Sequence, residues 1–230
     1  MMPVPAARAA PLAIVLAAAL LAACAGKPPP PDWQMNARAA AERLVETHLS
    51  GDTRLEALEL ARLRGEIART GRPDLLARAE LLRCAAQVAS IEFDDCPAYR
   101  ALEADAAAPE RAYAAYLAGR ADAASVALLP PAQQALARQP RNASAADAAA
   151  LQQIEDPLSR LVAAGVLLRS GQAHPAIYGV AVDTASAQGW RRPLLAWLKL
   201  QLQRAQQAGD NAEAQRLQRR IALVENTPPR

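Results

Sequence analysis

The chain has 230 residues, of which 26 are basic and 23 acidic, with 52% hydrophobic residues and 3% aromatics. This composition is typical of a chain that folds, and it excludes a disordered or collagen-like protein. The net charge of +3 and the few aromatic residues argue against a nucleic-acid-binding surface, which needs clustered basic residues and stacking rings.

The N-terminal segment is typical of an export signal. It carries one charge, Arg8, followed by an apolar run over residues 9–23, the order of an n-region and an h-region. If the run is extended to Gly26 it reaches the length of a short membrane span. An uncleaved transmembrane helix is therefore the alternative to a cleaved signal.

The run ends in Leu21, Ala22, Ala23 and Cys24. This sequence resembles the lipobox of bacterial lipoproteins, and the resemblance covers only the signal peptide. It implies cleavage of residues 1–23 and acylation of Cys24 on its sulfur and amino group, for example with palmitate. Acyl chains of this kind anchor a folded domain firmly, because each buried methylene contributes about 0.8 kcal/mol.

Residues 24–31 are predicted to form a lipidated tether. Four prolines, Pro28 to Pro31, favour a stiff extended spacer. In Gram-negative bacteria an aspartate after the acylated cysteine is the usual inner-membrane retention signal. Because Ala25 stands there, the resemblance implies an outer-membrane lipoprotein that faces the periplasm.

Residues 32–225 are predicted to form an all-α domain, followed by a disordered tail over 226–230. Alanine, the best helix former, makes up about a quarter of the chain. Apolar residues recur at three- and four-residue spacing between Gly or Pro stops and Asp, Ser or Asn starts. The long helices are predicted over residues 34–49, 54–69, from 73 to at least 89, 157–169, 175–188, 192–208 and 211–224, with Ser144 and Asp147 opening a shorter one that ends near residue 154.

Cys84 and Cys96 remain as a pair if Cys24 carries lipid. In an oxidising compartment an even number of cysteines predicts a disulfide. A redox or metal-binding pair is the alternative, although a C-x-x-C spacing is absent and neither histidine is near in sequence.

Three glycines, at positions 119, 171 and 209, are each followed five residues later by alanine. Glycine can end the first helix of a hairpin at positive φ, and the alanine would let the second helix lie close to the first. The pattern resembles tetratricopeptide repeats, although the glycine separations depart from their 34-residue period. The fold class is thus all-α, with helical hairpins packed as a tetratricopeptide-like array or as an irregular bundle.

Sequence motifs for catalysis are absent. His48 and His174 have no partner at metal-ligand or triad spacing, and both are interpreted as surface or capping residues. The acidic residues between Glu92 and Asp105 could form a Ca²⁺ site or a glycosidase-like pair, but a solvated acidic turn is the simpler interpretation. We therefore predict no catalytic residues, no metal and no small-molecule cofactor.

The C-terminal segment from residue 190 onward is basic, with eight basic and three acidic residues. Tryptophan and arginine are enriched at protein-binding hot spots. They favour a docking surface for an acidic partner or envelope polymer, formed by Trp190, Arg191, Arg192, Arg219 and Arg220. The alternative is that Trp197 belongs to the core and the arginines form a solvated helix face.

Together these features predict a lipid-anchored scaffold that binds a protein partner in the cell envelope and has no enzymatic activity. Two alternatives remain. One is an envelope enzyme that acts on peptidoglycan through two carboxyl groups, and the other is a tether between membrane and cell wall.

Overall fold

The long helices lie where the spacing of apolar residues predicts them. A computed structural model describes residues 29–139 and 142–226, so the signal peptide, the lipobox and most of the tether lie outside the described residues. Within those two ranges the chain is all-α and contains no β-strand. The fold class predicted from the sequence is therefore confirmed.

The described residues form eleven α-helices, joined in places by short 3₁₀ turns. Their bounds are α1 Asp32–Ser50, α2 Thr53–Ala68, α3 Pro73–Ala89, α4 Pro97–Arg100, α5 Ala108–Leu117, α6 Pro131–Ala137, α7 Ala146–Gln152, α8 Pro157–Arg169, α9 Ala176–Gln188, α10 Arg191–Gln207 and α11 Asn211–Glu225.

Side-chain caps explain where several helices begin. The carboxylates of Asp52, Asp156 and Asp210 each accept a hydrogen bond from the backbone N–H three residues on, at 2.9, 2.7 and 3.0 Å. Such caps satisfy donors that have no partner inside the helix. At α7 the Asp147 carboxylate accepts from the Ser144 N–H at 2.9 Å, while the Ser144 hydroxyl accepts from the Ala146 N–H at 3.2 Å. One of the two reciprocal bonds of a capping box between Ser144 and Asp147 is therefore present.

The three glycines predicted to end helices at positive φ do so, but only one of the three alanines that follow them is buried. Gly119, Gly171 and Gly209 have φ of +72°, +72° and +71°, a conformation that glycine adopts without a steric penalty. Ala214 is buried, and its helix α11 packs against α10. Ala124 and Ala176 are exposed, so the prediction is wrong for both. Ala124 lies in a turn rather than in a second helix, and Ala176 is the first residue of α9.

Helix α3 is the central helix of the bundle. Leu75, Ala79, Leu82, Ala86 and Ala89 recur at spacings of four and three residues, a pattern that predicts one apolar stripe along it. Instead, every residue from Cys84 to Ser90 is buried, because α3 packs against α2, α4, α5 and α8. From α8 onward each helix packs against the next in the chain. Most buried apolar side chains belong to one core, and a smaller cluster lies between α1, α2 and α3.

Gly165 is the point of closest approach between α8 and α3. A Cβ atom added there would lie 2.2 Å from the Val88 carbonyl oxygen, which no side chain can tolerate without a backbone shift. In contrast, Gly65 and Gly179 lie in helices with nothing within 4 Å of such an atom.

We expect Gly165→Ala to lower the free energy of unfolding by about 1–3 kcal/mol or more, because α8 must move away from α3. Gly179→Ala is the matched control, and it should raise stability by up to about 1 kcal/mol through helix propensity. Urea unfolding followed by far-UV circular dichroism measures both. Equal effects of the two substitutions would contradict the close packing of α3 and α8.

Candidate functional site

The four arginines predicted to form the docking surface divide into a pair held by contacts within the chain, Arg191 and Arg192, and an outward-facing pair, Arg219 and Arg220. The Arg192 side chain is only 18% exposed, and its guanidinium lies 3.2 Å from Glu56 Oε2 and 3.3 Å from Glu92 Oε1. The same group also contacts Thr53 Oγ1 at 3.2 Å. Arg192 therefore joins the start of α10 to the N-terminal helices.

Glu56 is the centre of this buried polar cluster. Its Oε1 lies 3.1 Å from His48 Nδ1 and 3.5 Å from Arg83 Nε. Burial opposes ionisation of Glu56, but the hydrogen bond with His48 and the charges of His48, Arg192 and Arg83 outweigh it and hold its pKa below the usual value. Glu56 therefore stays charged near neutral pH.

His48 lies inside the cluster, with 1% of its surface exposed, so its interpretation as a surface or capping residue is wrong. Its Nδ1 lies between Glu56 and an Arg192 nitrogen at 3.2 Å. Its Nε2 lies 4.0 Å from Glu92 Oε2 and has no hydrogen-bond partner among the described residues. The sequence gives no sign of this cluster, because Arg192 is 144 positions from His48.

Arg191 caps the end of α11. Its guanidinium donates to the carbonyl oxygens of Val224 and Glu225, both at 3.3 Å. A cation at the C-terminal end of a helix is favourable, since the last carbonyl groups have no partners inside the helix. Arg191 thus fixes the start of α10 beside the end of α11.

The two C-terminal tryptophans have different surroundings. Trp197 is fully buried, its ring lies 6.0 Å from Tyr178, and its Nε1 donates to the Ala89 carbonyl at 3.0 Å. This bears out the alternative in which Trp197 belongs to the core. Trp190 is half-buried and packs against the same core.

The outward-facing pair, Arg219 and Arg220, lies on α11. The other side of this helix faces the core and buries Ala214, Leu217 and Ile221. Arg219 is exposed and forms no hydrogen bond or ion pair with the described residues, while Arg220 is half-exposed.

Cys84 and Cys96 lie at disulfide-bonding distance, as predicted. Asp94 lies beside them, and its carboxylate accepts a hydrogen bond from the Cys96 N–H at 2.8 Å. These three residues are the one group of potential metal ligands found in the described part of the chain. Two thiols joined to each other leave no thiolate for a metal, so the geometry favours the disulfide over the metal-binding alternative.

We expect the double substitution of Cys84 and Cys96 by serine to lower the free energy of unfolding by about 3 kcal/mol, since the bridge closes a loop of about 13 residues. Wild-type protein treated with dithiothreitol is the second arm and should show a similar loss. Urea unfolding measures both. Unchanged stability in both arms would contradict a structural bridge.

The acidic segment after α3 is exposed to solvent and also forms ion pairs. Glu92 pairs with Arg192 at 3.3 Å, and Asp95 pairs with Arg100 at 3.2 Å and Arg169 at 3.3 Å. The side chains of Glu92 and Asp95 are 43% and 61% exposed, which agrees with the interpretation of this segment as a solvated acidic turn. The peptidoglycan-acting enzyme stays an untested alternative.

No protein-family model matches the chain, and searches of curated proteins and of solved structures also find no match. Within residues 29–139 and 142–226, no helix is both long and apolar enough to cross a membrane. The resemblance to tetratricopeptide repeats thus remains a prediction.

Proposed function

We propose that the chain is an outer-membrane lipoprotein, anchored by acylated Cys24 and facing the periplasm, whose all-α body is a non-enzymatic scaffold. The body binds an acidic segment of a protein partner in the cell envelope. The anchor rests on the lipobox-like sequence Leu21 to Cys24 and on the proline-rich tether.

The observation that carries the binding role is the outer face of α11, formed by Arg216, Arg219, Arg220 and Leu223, which we name the α11 face. Their spacing of three and four residues places them on one side of the helix. Leu223 is 72% exposed and lies one helical turn after Arg219 and Arg220, at the C-terminal end of this row. Arginine is enriched at the energetically important positions of protein-binding surfaces, and an exposed leucine beside it adds apolar area.

Contacts within the chain reduce the number of arginines that are available to bind a partner. Arg191 and Arg192 are engaged with helix-end carbonyls and buried carboxylates, so replacing them would disturb the fold. Arg216 pairs with Glu213 at 2.6 Å. Arg219 and Arg220 remain as the cations that can pair with a partner's carboxylates without breaking an ion pair within the chain.

Crosslinking in intact cells, followed by mass spectrometry, tests this proposal. We expect one reproducible protein adduct whose yield falls several-fold in the Arg219→Ser, Arg220→Ser double variant. The matched control is Arg54→Ser combined with Arg138→Ser, two exposed arginines outside α11, which should leave the yield unchanged. An adduct of equal yield in both double variants would contradict binding through the α11 face.

A further inference from the structure

A small cavity lies between the end of α5, helix α6, the start of α7 and helix α8. Its volume is about 60 Å³, which is room for about four to six water-sized groups at roughly 10–15 Å³ each. The buried side chains of Leu136, Ala163 and Val166 line its interior. The exposed residues Gln139 and Asn142 also line it and mark its opening to solvent.

Asp147 is the one charged residue that lines this cavity in the part of the chain that the structure describes. The residue is 5% exposed. Its Oδ2 accepts the Ser144 N–H at 2.9 Å, and this neutral donor holds the carboxylate in place without cancelling its charge. Oδ1 forms no hydrogen bond or ion pair with the described residues, and unlike Oε2 of Glu110 it is not sealed from water-sized groups. A group in the cavity can therefore reach it.

The other buried carboxylates of the described chain all have a cationic partner. Arginine side chains lie within 3.2 Å of the carboxylates of Glu56, Glu59, Glu80 and Glu110. This is the usual arrangement, because a buried charge is unfavourable unless it is paired. Asp147 is the exception among the described residues, since no ion pair reaches it and no basic residue lines its cavity.

The hydroxyl groups that line the cavity do not meet this need. The Tyr116 hydroxyl donates to Gln133 Oε1 at 2.7 Å, and the Ser170 hydroxyl donates to the Leu167 carbonyl at 3.1 Å. Both protons are thus used elsewhere. A cation that enters the cavity would supply the missing partner of Asp147.

We propose that this cavity binds a primary ammonium group on an aliphatic chain, with the ammonium at the Asp147 carboxylate and the chain against the apolar interior. An ammonium is a compact charge with three donors, whereas a guanidinium is a wider planar group. A divalent metal ion takes six or more oxygen ligands and favours several carboxylates, but one carboxylate lines the cavity. The inference goes beyond the proposed function, in which arginines of the α11 face bind carboxylates.

The test uses the full chain purified in a non-ionic detergent, with binding measured by saturation-transfer difference NMR. The probe is n-butylammonium, for which we expect a dissociation constant on the order of millimolar, as befits so small a ligand. The control is 1-butanol, which has the same number of non-hydrogen atoms and no charge, and it should not bind. Equal binding of the two, or no binding of n-butylammonium, would overturn the proposal. Tighter binding of Ca²⁺ than of n-butylammonium would also overturn it.

A second probe, Nα-acetyl-lysine amide, identifies the source of the ammonium group. If it competes with n-butylammonium, the cavity accepts a lysine side chain. If it does not compete while n-butylammonium binds, the ligand is a free amine. Both results support a site for an aliphatic ammonium.

Variants locate the site. Asp147→Asn keeps an oxygen for the Ser144 N–H but removes the charge, so we expect it to weaken binding by at least about tenfold. It should not lower the thermal midpoint of the ligand-free protein, since no ion pair with the described residues is lost. Ala137→Leu, which fills the cavity from its wall, should abolish binding while Asp147 remains.

Asp156→Asn is the matched control for Asp147→Asn. Asp156 is also a helix-capping aspartate that accepts one backbone N–H, but it is exposed and does not line the cavity, so its substitution should leave the affinity unchanged. Wild-type affinity in Asp147→Asn, or equal weakening in both variants, would overturn the assignment. A thermal midpoint that falls further in Asp147→Asn than in Asp156→Asn would show that Asp147 has a structural partner, and it would overturn the proposal as well.

The cavity and the α11 face can fail separately. The cavity variants leave Arg219 and Arg220 intact, and the cellular crosslink does not depend on amines. A crosslink that requires the α11 face together with absent amine binding would remove only the cavity site. Amine binding that requires Asp147 together with an unchanged crosslink in the Arg219→Ser, Arg220→Ser variant would remove only the α11 face.

Discussion

Glu56→Gln is expected to lower the free energy of unfolding by about 3–5 kcal/mol, the range observed when one partner of a buried ion pair is removed. The substitution keeps the shape of the side chain but removes the negative charge that the guanidinium groups of Arg83 and Arg192 share. These two positive groups would then lie in the cluster without this carboxylate. Urea unfolding near pH 7 measures the loss.

The effect of Glu56→Gln should also depend on pH. The folded-state pKa of Glu56 lies below its usual value, so the stabilisation by its charge is present above the unfolded-state pKa of about 4.3 and is lost as the pH falls through the folded-state value. The difference in stability between the variant and the wild type should therefore shrink below about pH 4.

Glu42→Gln is the control for this cluster. Glu42 pairs with Arg38 at 2.9 Å on the surface of α1, where the two side chains are 66% and 83% exposed. Exposed pairs of this kind contribute at most about 1 kcal/mol. If Glu56→Gln had as small an effect as Glu42→Gln, the cluster would not be what joins α10 to the N-terminal helices.

Trp197→Ala is the second large expected effect, with a loss of about 3–5 kcal/mol, the range for large aromatic residues removed from a core. The ring is fully buried against Tyr178, and its N–H satisfies the Ala89 carbonyl near the end of α3. The substitution leaves both a cavity and a buried acceptor without this donor. Urea unfolding measured by far-UV circular dichroism gives the value.

Two further substitutions, Trp197→Phe and Trp190→Ala, separate the contribution of the indole hydrogen bond from that of burying the ring. Phenylalanine fills most of the space but cannot donate a hydrogen bond, so an intermediate loss is expected. Trp190 is half-buried, and its removal should have a smaller effect than that of Trp197. A loss below 1 kcal/mol for Trp197→Ala would mean that α10 does not depend on this contact with α3.

Local signals explain why the helix bounds could be predicted from the sequence. Proline at the first turn, an aspartate cap and a basic residue near the end all act within one helix, and the predicted range 157–169 is that of α8. Gly209 and Asp210 likewise mark the turn between α10 and α11, with positive φ at the glycine and a side-chain cap from the aspartate. These features depend only on neighbouring residues.

The tertiary contacts could not be predicted in the same way. The pattern of α3 predicts one buried stripe, but the number of helices that pack around it decides how much of its surface is buried. The Glu56 cluster joins residues from α1, α2, α3 and α10. Each looks like an ordinary charged surface residue in the sequence, and only the packing of the helices brings them together.

Metabolic labelling with an alkyne analogue of palmitate tests the central claim most directly, since the proposed role in the envelope depends on an acylated Cys24. Wild-type protein expressed in a Gram-negative host should carry the label and fractionate with the outer membrane, while Cys24→Ser should carry none. The Cys84→Ser, Cys96→Ser variant is the control and should be labelled like the wild type. Unlabelled wild-type protein, or equal labelling of Cys24→Ser, would contradict the account.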